Sequence, residues 1–178
     1  MKIIQIAEII SKSGGRLYLV GGYVRDILLG LSSHDRDYCV TGLSQKLFES
    51  LFPEAISQGK SFPVYILNGC EFALARKEKK TGDKHSDFIC DSSPNITIEE
   101  DLFRRDLTIN SIAIDVLTGE YIDPFQGIED IKNKLLRHTS SAFKEDPLRV
   151  YRVARFASQL NFQVASETLN MMNSMKNS

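Results

Sequence analysis

The feature that most limits the fold of this chain is a change of pattern near residue 140. Before that point, short apolar runs typical of strands, such as 17–20, occur in irregular order with segments that have the apolar spacing of a helix. Turn residues separate these segments. This mixed order favours an α+β fold, with a mixed sheet flanked by helices, over a doubly wound parallel sheet. From Ala142 onward there is no strand signal, which predicts an all-helical continuation. We therefore predict one domain over residues 1–140 and the beginning of a helical domain over 141–178.

Composition narrows the class of protein further. The 178 residues include 42% hydrophobic and 25% charged side chains, which is enough to fill a core and excludes disordered and fibrous classes. No apolar stretch approaches the ~20 residues of a membrane span, so we expect no membrane partner. The three cysteines lie far apart and outside any CxxC pair, which argues against a disulfide framework or zinc knuckle and fits a reducing cytoplasm.

The charge is unevenly distributed along the chain. Residues 1–130 carry 14 basic and 20 acidic side chains, whereas residues 131–178 carry 8 basic and 3 acidic ones. An acidic part suits a cation and a basic part suits phosphates, although many neutral proteins also contain a basic helix.

Two aspartates stand two residues apart on a predicted strand. Asp35 and Asp37 would project from the same face of that strand. Paired carboxylates suit Mg²⁺, which usually binds through one or two carboxylates and substrate phosphates. An isolated pair of this kind is more often an exposed strand end, so the neighbouring sequence has to decide between the two interpretations.

That neighbouring sequence contains two glycines between a predicted strand and a predicted helix. Gly21 and Gly22 would let the backbone approach an anion at the helix N-terminus, and Arg25 in the first turn is able to pair with phosphate oxygens. A Gly-Gly turn alone is usually structural. The segment matches neither the G-x-G-x-x-G fingerprint nor a P-loop, which excludes the dinucleotide-binding and P-loop classes.

Two predictions concern the middle of the chain. The polar segment from Lys77 to Asn95 is predicted to be a long mobile loop, and loops of that length are more often functional than accidental. A helix is predicted from about Ile98 to Ile114, which would place Asp106 and Asn110 on one helix face. Apolar neighbours around these polar residues indicate a buried polar site.

The last helix is predicted to begin at Asp146, as an N-cap, followed by Pro147. Polar residues then recur every third position, at Arg149, Arg152 and Arg155. A salt-bridged amphipathic helix explains this spacing equally well. An Asp acceptor beside an Arg donor is also able to read the hydrogen-bonding edge of a base.

Five segments together resemble the class II nucleotidyltransferases, the family of bacterial tRNA CCA-adding enzymes and poly(A) polymerases. They are Leu19–Gly30 (LVGGYVRDILLG), Asp35–Asp37 (DRD), Arg104–Asn110 (RRDLTIN), Asp123–Gly127 (DPFQG) and Glu145–Phe156 (EDPLRVYRVARF). They occur in the order of the family and extend over about residues 17–170. Glu71–Arg76 (EFALAR) and Leu135–Thr139 (LLRHT) resemble the gamma-proteobacterial CCA-adding branch more than the poly(A) branch.

The resemblance implies a polymerase-beta-like catalytic head over residues 1–140 and the start of a helical neck. Asp35 and Asp37 would hold Mg²⁺, and Glu71 is the candidate for a further catalytic carboxylate. The implied nucleotide-binding residues are Gly22 and Arg25 for the triphosphate, Arg105 for the nucleotide, Asp106 and Asn110 for the sugar site, Asp146 and Arg149 for the Watson–Crick edge, and Arg152 and Arg155 for the rest of the pocket.

The implied activity is Mg²⁺-dependent transfer of CMP, AMP or both from CTP and ATP to the 3′-hydroxyl of tRNA. Two alternatives stay open, a poly(A) polymerase of the same family and a nucleotide- or RNA-binding fragment without turnover. A D-x-D glycosyltransferase leaves the Gly-Gly and Glu-Asp segments unexplained. In the family, body and tail domains follow the neck, so the resemblance also implies a gene remnant, a shortened chain or a split enzyme that needs a second polypeptide.

Overall fold

The computed structural model describes residues 1–59, 62–80 and 88–175, and its centre is a seven-stranded mixed sheet. The strands are β1 (Arg16–Val20), β2 (Asp37–Thr41), β3 (Ile56–Gln58), β4 (Val64–Leu67), β5 (Cys70–Leu74), β6 (Lys77–Lys80), β7 (Phe88–Asp91), β8 (Ala113–Asp115), β9 (Tyr121–Ile122), β10 (Leu135–Leu136) and β11 (Gln163–Val164). The order in the main sheet is β3-β4-β5-β2-β1-β8-β9. Only the β2–β5 pair in this sheet is parallel, which confirms the predicted mixed sheet.

Helices flank the sheet. They are α1 (Ile3–Lys12), α2 (Gly22–Leu29), α3 (Gln45–Leu51), α4 (Ile98–Phe103), α5 (Gly127–Lys132), α6 (Leu148–Leu160) and α7 (Ser166–Met175), with two 3-10 helices, Thr108–Asn110 and Ser141–Glu145. None of the helices in the described part of the chain has the length and apolar character needed to cross a membrane.

The strand pattern of β1 explains why both faces of the sheet are covered. Leu17 packs into a cluster with α1 and α3, whereas Tyr18 and Val20 pack into a second cluster with α4. Successive strand residues point to opposite faces, so an almost wholly apolar β1 needs a layer on each side. The predicted hairpin between β4 and β5 is confirmed, because Asn68 and Gly69 both adopt positive φ at the turn.

A third apolar cluster joins the two predicted domains. Leu107 and Leu136 before residue 140 pack in one cluster with Phe143, Val153 and Phe156 after it. This shared core positions α6 against the head. The division of the chain into residues 1–140 and 141–178 stays a prediction.

The prediction of an all-helical segment after Ala142 is wrong. The strand β11 lies between α6 and α7 and pairs in parallel with β10, with Leu135 opposite Gln163. Asn161 ends α6 in the left-handed region at φ 54°, and the chain then becomes extended. A two-residue strand is too short to give a periodic signal, so only the tertiary pairing reveals it.

The predicted helix from Ile98 to Ile114 is also wrong beyond Phe103. The backbone of Leu107 is extended, a 3-10 turn follows, and Ala113 pairs with Val20 of β1. Sheet pairing therefore overrides the local helical spacing of this segment.

The predicted long loop from Lys77 to Asn95 is wrong over Lys77–Lys80 and Phe88–Asp91, which form strands, whereas residues 92–95 lie outside helices and strands. Strands β6 and β7 pair in an antiparallel manner, with Lys77 opposite Asp91. The middle of the predicted loop, 81–87, lies outside the described residues. Strands β6 and β7 thus form a two-stranded sheet separate from the main sheet.

Candidate active site

A cavity of about 630 Å³ opens where the β1–α2 junction, the start of β2, the segment after α4 and helix α6 meet. Its lining contains six arginines and three aspartates together with small, amide and aromatic residues: Gly21, Gly22, Arg25, Asp37, Arg104, Arg105, Asp106, Asn110, Asp146, Arg149, Arg152, Arg155, Phe156 and Gln159. An excess of guanidinium groups in a concave site suits a polyphosphate, because Arg forms paired hydrogen bonds with phosphate oxygens.

Ten of the twelve predicted site residues line this cavity, and Asp35 and Glu71 do not. Asp35 is exposed in the segment before β2, so the prediction that both aspartates lie on the strand is wrong. Glu71 lies on β5 in parallel register with Asp37. It lines a smaller adjoining cavity to which Asp37 also contributes.

The Gly21–Gly22 junction brings the backbone close to charged groups. Gly21 adopts φ +74°, and a Cβ built there would lie 3.4 Å from Arg105 Nη1 and 3.7 Å from Asp37 Oδ2. The positive φ favours glycine at this position, whereas a Cβ at these two distances would make only ordinary van der Waals contacts. The second glycine begins α2, so the first turn of this helix, whose N–H groups have no partner within the helix, lies at the cavity.

Arg25 is fixed by neighbours on three sides. Its Nε donates to Asp26 Oδ1 at 2.9 Å, and its Nη1 donates to Asn110 Oδ1 at 2.8 Å. The guanidinium carbon lies 5.1 Å from the centroid of the Phe156 ring on α6. These contacts hold the side chain of α2 at the cavity wall and limit the entropy lost when it contacts a ligand.

The carboxylates beside the cavity have the chemistry of a hard-cation site. Desolvation is the largest cause that raises the pKa of Asp37, and the negative charge of Glu71 is the next. The charge of Asp35 also raises this pKa, whereas the charge of Arg105 lowers it. A bound cation would relieve this repulsion, and carboxylate oxygens are the donors that Mg²⁺ prefers. Within the described ranges, no group of three or more His, Cys, Asp or Glu residues is arranged to hold a metal ion. Asp37 and Glu71, which lie in register and line the same small cavity, suit a cation that takes its other ligands from substrate phosphates.

Asp106 is the centre of a buried hydrogen-bond network, with 6% of its surface exposed. It accepts from the backbone N–H of Leu107 at 2.8 Å, from Asn110 Nδ2 at 3.2 Å and from Arg152 Nε at 2.6 Å. The predicted pairing of Asp106 with Asn110 is thus present. The two residues come together through an extended residue and a 3-10 helix, not on the face of the α-helix that the spacing predicted.

Helix α6 contributes Arg149, Arg152 and Arg155 to the cavity. Arg149 is 8% exposed, and its Nη1 and Nη2 donate to the carbonyl oxygens of Ala142 and Arg104 at 2.7 and 2.6 Å. Burial lowers the pKa of Arg149 from its usual value. Arg152 and Arg155 are exposed and lie near the Phe156 ring, with guanidinium carbons 5.6 and 5.1 Å from its centroid.

Asp146 lies just before α6, and the helix begins one residue later than predicted. The N-cap position is Pro147, and Asp146 Oδ1 accepts from the backbone N–H of Leu148 at 3.0 Å. The side chain of Asp146 is half-buried at the cavity. It therefore combines a capping contact with a place in the cavity lining.

Sequence reasoning missed one buried carboxylate behind the cavity. Asp101 is 1% exposed and forms ion pairs with Arg104 at 2.8 Å and Arg105 at 3.0 Å. Despite desolvation, which acts to raise it, the pKa of Asp101 is lowered to about 2, chiefly by the charges of Arg105 and Arg104. The spacing of Asp101 to these arginines, three and four residues, was the available sequence signal.

We expect the Asp101 pairs to make stability depend on pH. The folded pKa of about 2 lies below the ordinary value of 3.8, so the stabilisation is present above that value and is lost as the pH falls through 2. The difference corresponds to roughly 2 kcal/mol of unfolding free energy. Urea denaturation at several pH values should show wild type and Asp101→Asn converging in stability between about pH 5 and pH 2. A difference between them that does not change with pH would contradict this assignment.

A mixed sheet that carries a basic cavity, with carboxylates in register on adjacent parallel strands, has the architecture of a nucleotidyltransferase catalytic head. A family model described as "Poly A polymerase head domain" matches residues 17–137. The chain belongs to this family.

Curated relatives extend the comparison. The chain is 50% identical over 166 residues to the "Multifunctional CCA protein" of Haemophilus ducreyi, a match that covers 90% of this chain and 40% of the relative. It is 54% identical over 161 residues to the "CCA-adding enzyme" of Actinobacillus succinogenes, covering 88% of this chain and 40% of that protein. The chain thus spans about 40% of the length of these relatives. The predicted similarity to the gamma-proteobacterial CCA-adding branch is confirmed.

Solved structures agree with the fold. The CCA-adding enzyme of Bacillus stearothermophilus in complex with CTP superposes with a TM-score of 0.75 at 31% identity, over 94% of this chain and 42% of that chain. A tRNA nucleotidyltransferase complexed with a primer tRNA and an incoming ATP analog gives a TM-score of 0.76 at 33% identity, over 97% and 50%. The predicted nucleotidyltransferase fold is therefore confirmed.

Proposed function

We propose that this chain is the catalytic part of an enzyme that transfers CMP and AMP from CTP and ATP to the 3′-hydroxyl of tRNA. The observation that carries the proposal is the arginine-rich cavity, whose lining includes Asp37 next to the β1–α2 junction. Support also comes from the relatives, which are named as CCA-adding enzymes, and from the solved neighbours with CTP and with primer tRNA.

The triphosphate would bind at the glycine junction. The first turn of α2, which begins at Gly22, would offer backbone N–H groups, and Arg25 and Arg105 in the same cavity lining would offer guanidinium groups. Because Arg25 is already held by Asp26 and Asn110, it would meet the phosphates with little reorganisation.

A divalent metal ion is general for nucleotidyltransferases of this family, and we propose Mg²⁺ at the neighbouring carboxylates. Asp35 and Asp37 would hold it, with Glu71 as the further carboxylate. When bound, Mg²⁺ lowers the pKa of the attacking hydroxyl and neutralises charge on the leaving pyrophosphate. The protein itself would supply orientation and fixed charges, not a covalent nucleophile.

The sugar and base would lie toward α6. Asp106 and Asn110 form a linked pair whose oxygen and nitrogen atoms would shape the sugar site. Asp146 and Arg149 would present an acceptor and donors to the Watson–Crick edge of the incoming C or A. Arg152 and Arg155 would close the pocket from the exposed side of the helix.

The acceptor RNA needs more surface than the cavity provides. The curated relatives carry about 60% of their length outside the matched part, as follows from the 40% coverage. We propose that this further sequence, joined to the chain or supplied by a second polypeptide, holds the tRNA. A cytoplasmic location, where tRNA and both nucleotides are present, is part of the same proposal.

The test is an extension assay on tRNA that lacks its terminal CCA, with CTP alone, ATP alone and both, in the presence of Mg²⁺. We expect incorporation that depends on the nucleotide supplied and stops at the CCA end. Repeated addition of A from ATP alone to a complete CCA end would favour the poly(A) polymerase, because the matched family is named for that activity. Nucleotide binding without extension, also when the part of a relative that lies outside the match is added, would identify a binding fragment instead.

A further inference from the structure

We propose that Asp101 is a positioning residue for the nucleotide cavity, a role that rests on the proposed function of that cavity. Asp101 is 1% exposed and lines the smaller adjoining cavity, not the nucleotide cavity, so we expect no direct contact between it and a nucleotide bound there. Its two carboxylate oxygens instead hold Arg104 and Arg105, which do line the cavity. The carboxylate thus sets the orientation of two guanidinium groups from behind.

The geometry gives each arginine its own oxygen. Asp101 Oδ1 accepts from Arg104 Nη2 at 2.8 Å, from Arg104 Nε at 3.3 Å and from the backbone N–H of Arg76 at 3.1 Å. Asp101 Oδ2 accepts from Arg105 Nη2 at 3.0 Å. Charge-assisted hydrogen bonds at a buried carboxylate are among the strongest in proteins, so these contacts fix both side chains.

Arg105 depends on this contact more than Arg104 does. Arg105 Nε is buried and finds no hydrogen-bond partner within the described ranges of the chain. The Nη1 atom of the same side chain lies at the glycine junction, 3.4 Å from the Cβ position built on Gly21. Asp101 therefore directs the guanidinium toward the place proposed for the triphosphate.

Arg104 connects the Asp101 carboxylate to Arg149, another residue of the cavity lining. Its side chain also pairs with Glu78 on β6 at 3.1 Å, and its carbonyl oxygen accepts from Arg149 Nη2 at 2.6 Å. The side chain of Arg104 thus pairs with two carboxylates, Glu78 and Asp101, whereas that of Arg105 pairs, among the described residues, with Asp101 alone. The loss of Asp101 should consequently act on nucleotide affinity mainly through Arg105.

A double-mutant cycle tests whether Asp101 acts on nucleotide affinity through Arg105. The dissociation constant for CTP is measured in the presence of Mg²⁺ by isothermal titration calorimetry. We expect Asp101→Asn to weaken CTP binding about tenfold, as the loss of one charge-assisted contact would. The Asp101→Asn/Arg105→Ala double variant should bind CTP as Arg105→Ala alone does, because Asp101 acts through Arg105. Independent, multiplying losses would overturn the proposal, as would unchanged affinity in Asp101→Asn.

Asp115→Asn is the matched control. Asp115 is 4% exposed and accepts from the backbone N–H groups of Leu117 and Thr118, away from the cavity. This variant should lose stability without a change in CTP affinity. An equal loss of affinity in both variants would mean that Asp101 acts only through general destabilisation, and would overturn the proposal.

A second measurement needs neither a variant of Asp101 nor nucleotide binding. In wild type at neutral pH, the guanidinium nitrogens of Arg105, assigned by comparison with Arg105→Lys, should give separate NMR signals, because the Asp101 contact restricts rotation. Signals averaged by free rotation would contradict the positioning role. If wild type binds neither CTP nor ATP, the proposed function fails, while these signals still decide whether Asp101 holds Arg105.

Discussion

The Asp37→Asn variant is expected to lose nucleotide incorporation by about 1,000-fold, the scale on which removal of a key electrostatic group slows an enzyme. Of the three predicted catalytic carboxylates, Asp35, Asp37 and Glu71, Asp37 is the one that lines the cavity, beside the glycine junction and in register with Glu71. The substitution keeps the shape of the side chain and removes the charge that would hold a cation. Single-turnover extension of tRNA lacking CCA measures the loss, and circular dichroism confirms the fold.

Two further variants sharpen this prediction. Glu8→Gln, at an exposed position of α1 that does not line the cavity, should extend tRNA at the rate of wild type. Asp35→Asn should also lose incorporation, because Asp35 is proposed to share the metal ion with Asp37. Wild-type rates in Asp37→Asn would contradict the metal site, and an equal loss in Glu8→Gln would trace the effect to something other than the cavity.

The Arg149→Ala variant is expected to lose roughly 3 kcal/mol of unfolding free energy, since it leaves one buried and one partly buried carbonyl acceptor without their charged donor. Those acceptors, Ala142 and Arg104, lie on the two sides of the predicted domain boundary. The side chain therefore joins the head to α6 as well as lining the cavity. Urea denaturation measures the change.

Arg155→Ala is the control for this effect, because Arg155 lies on the same helix with an exposed side chain. Its stability should change by no more than about 0.5 kcal/mol. Equal stability of the two variants would show that the Arg149 contacts with the backbone do not hold α6 in place. Both variants should weaken CTP binding, since both side chains line the cavity.

The elements that the sequence predicts correctly are those that local chemistry determines. The β4–β5 hairpin follows from Asn68-Gly69, whose positive φ angles are required by the turn itself. The junction at Gly21-Gly22 follows in the same way from residues that break a strand before a helix. No distant part of the chain is needed for either.

The elements that the sequence predicts wrongly are those that distant partners determine. The segment after Phe103 has helical spacing but becomes β8, because Ala113 pairs with Val20 far away in the chain. The short strand β11 exists only through its pairing with β10. In both cases tertiary hydrogen bonds outweigh a weak local preference.

The same distinction applies to the candidate site. Motif residues such as Arg25 and Asp106 stand out in the sequence because their chemistry is unusual among apolar neighbours. Asp101 and Phe156 do not, since their roles arise from burial against elements that the fold brings together. Asp101 in particular resembles any acidic residue in the first turn of a helix until its two arginine partners are seen.

A crystal structure of the chain with CTP and Mg²⁺ tests the central claim most directly. We predict the triphosphate at the Gly22 backbone between Arg25 and Arg105, the metal ion on Asp37, and the cytosine toward Asp146 and Arg149. CTP bound outside this cavity, or a cavity that stays empty at saturating CTP, would contradict the account.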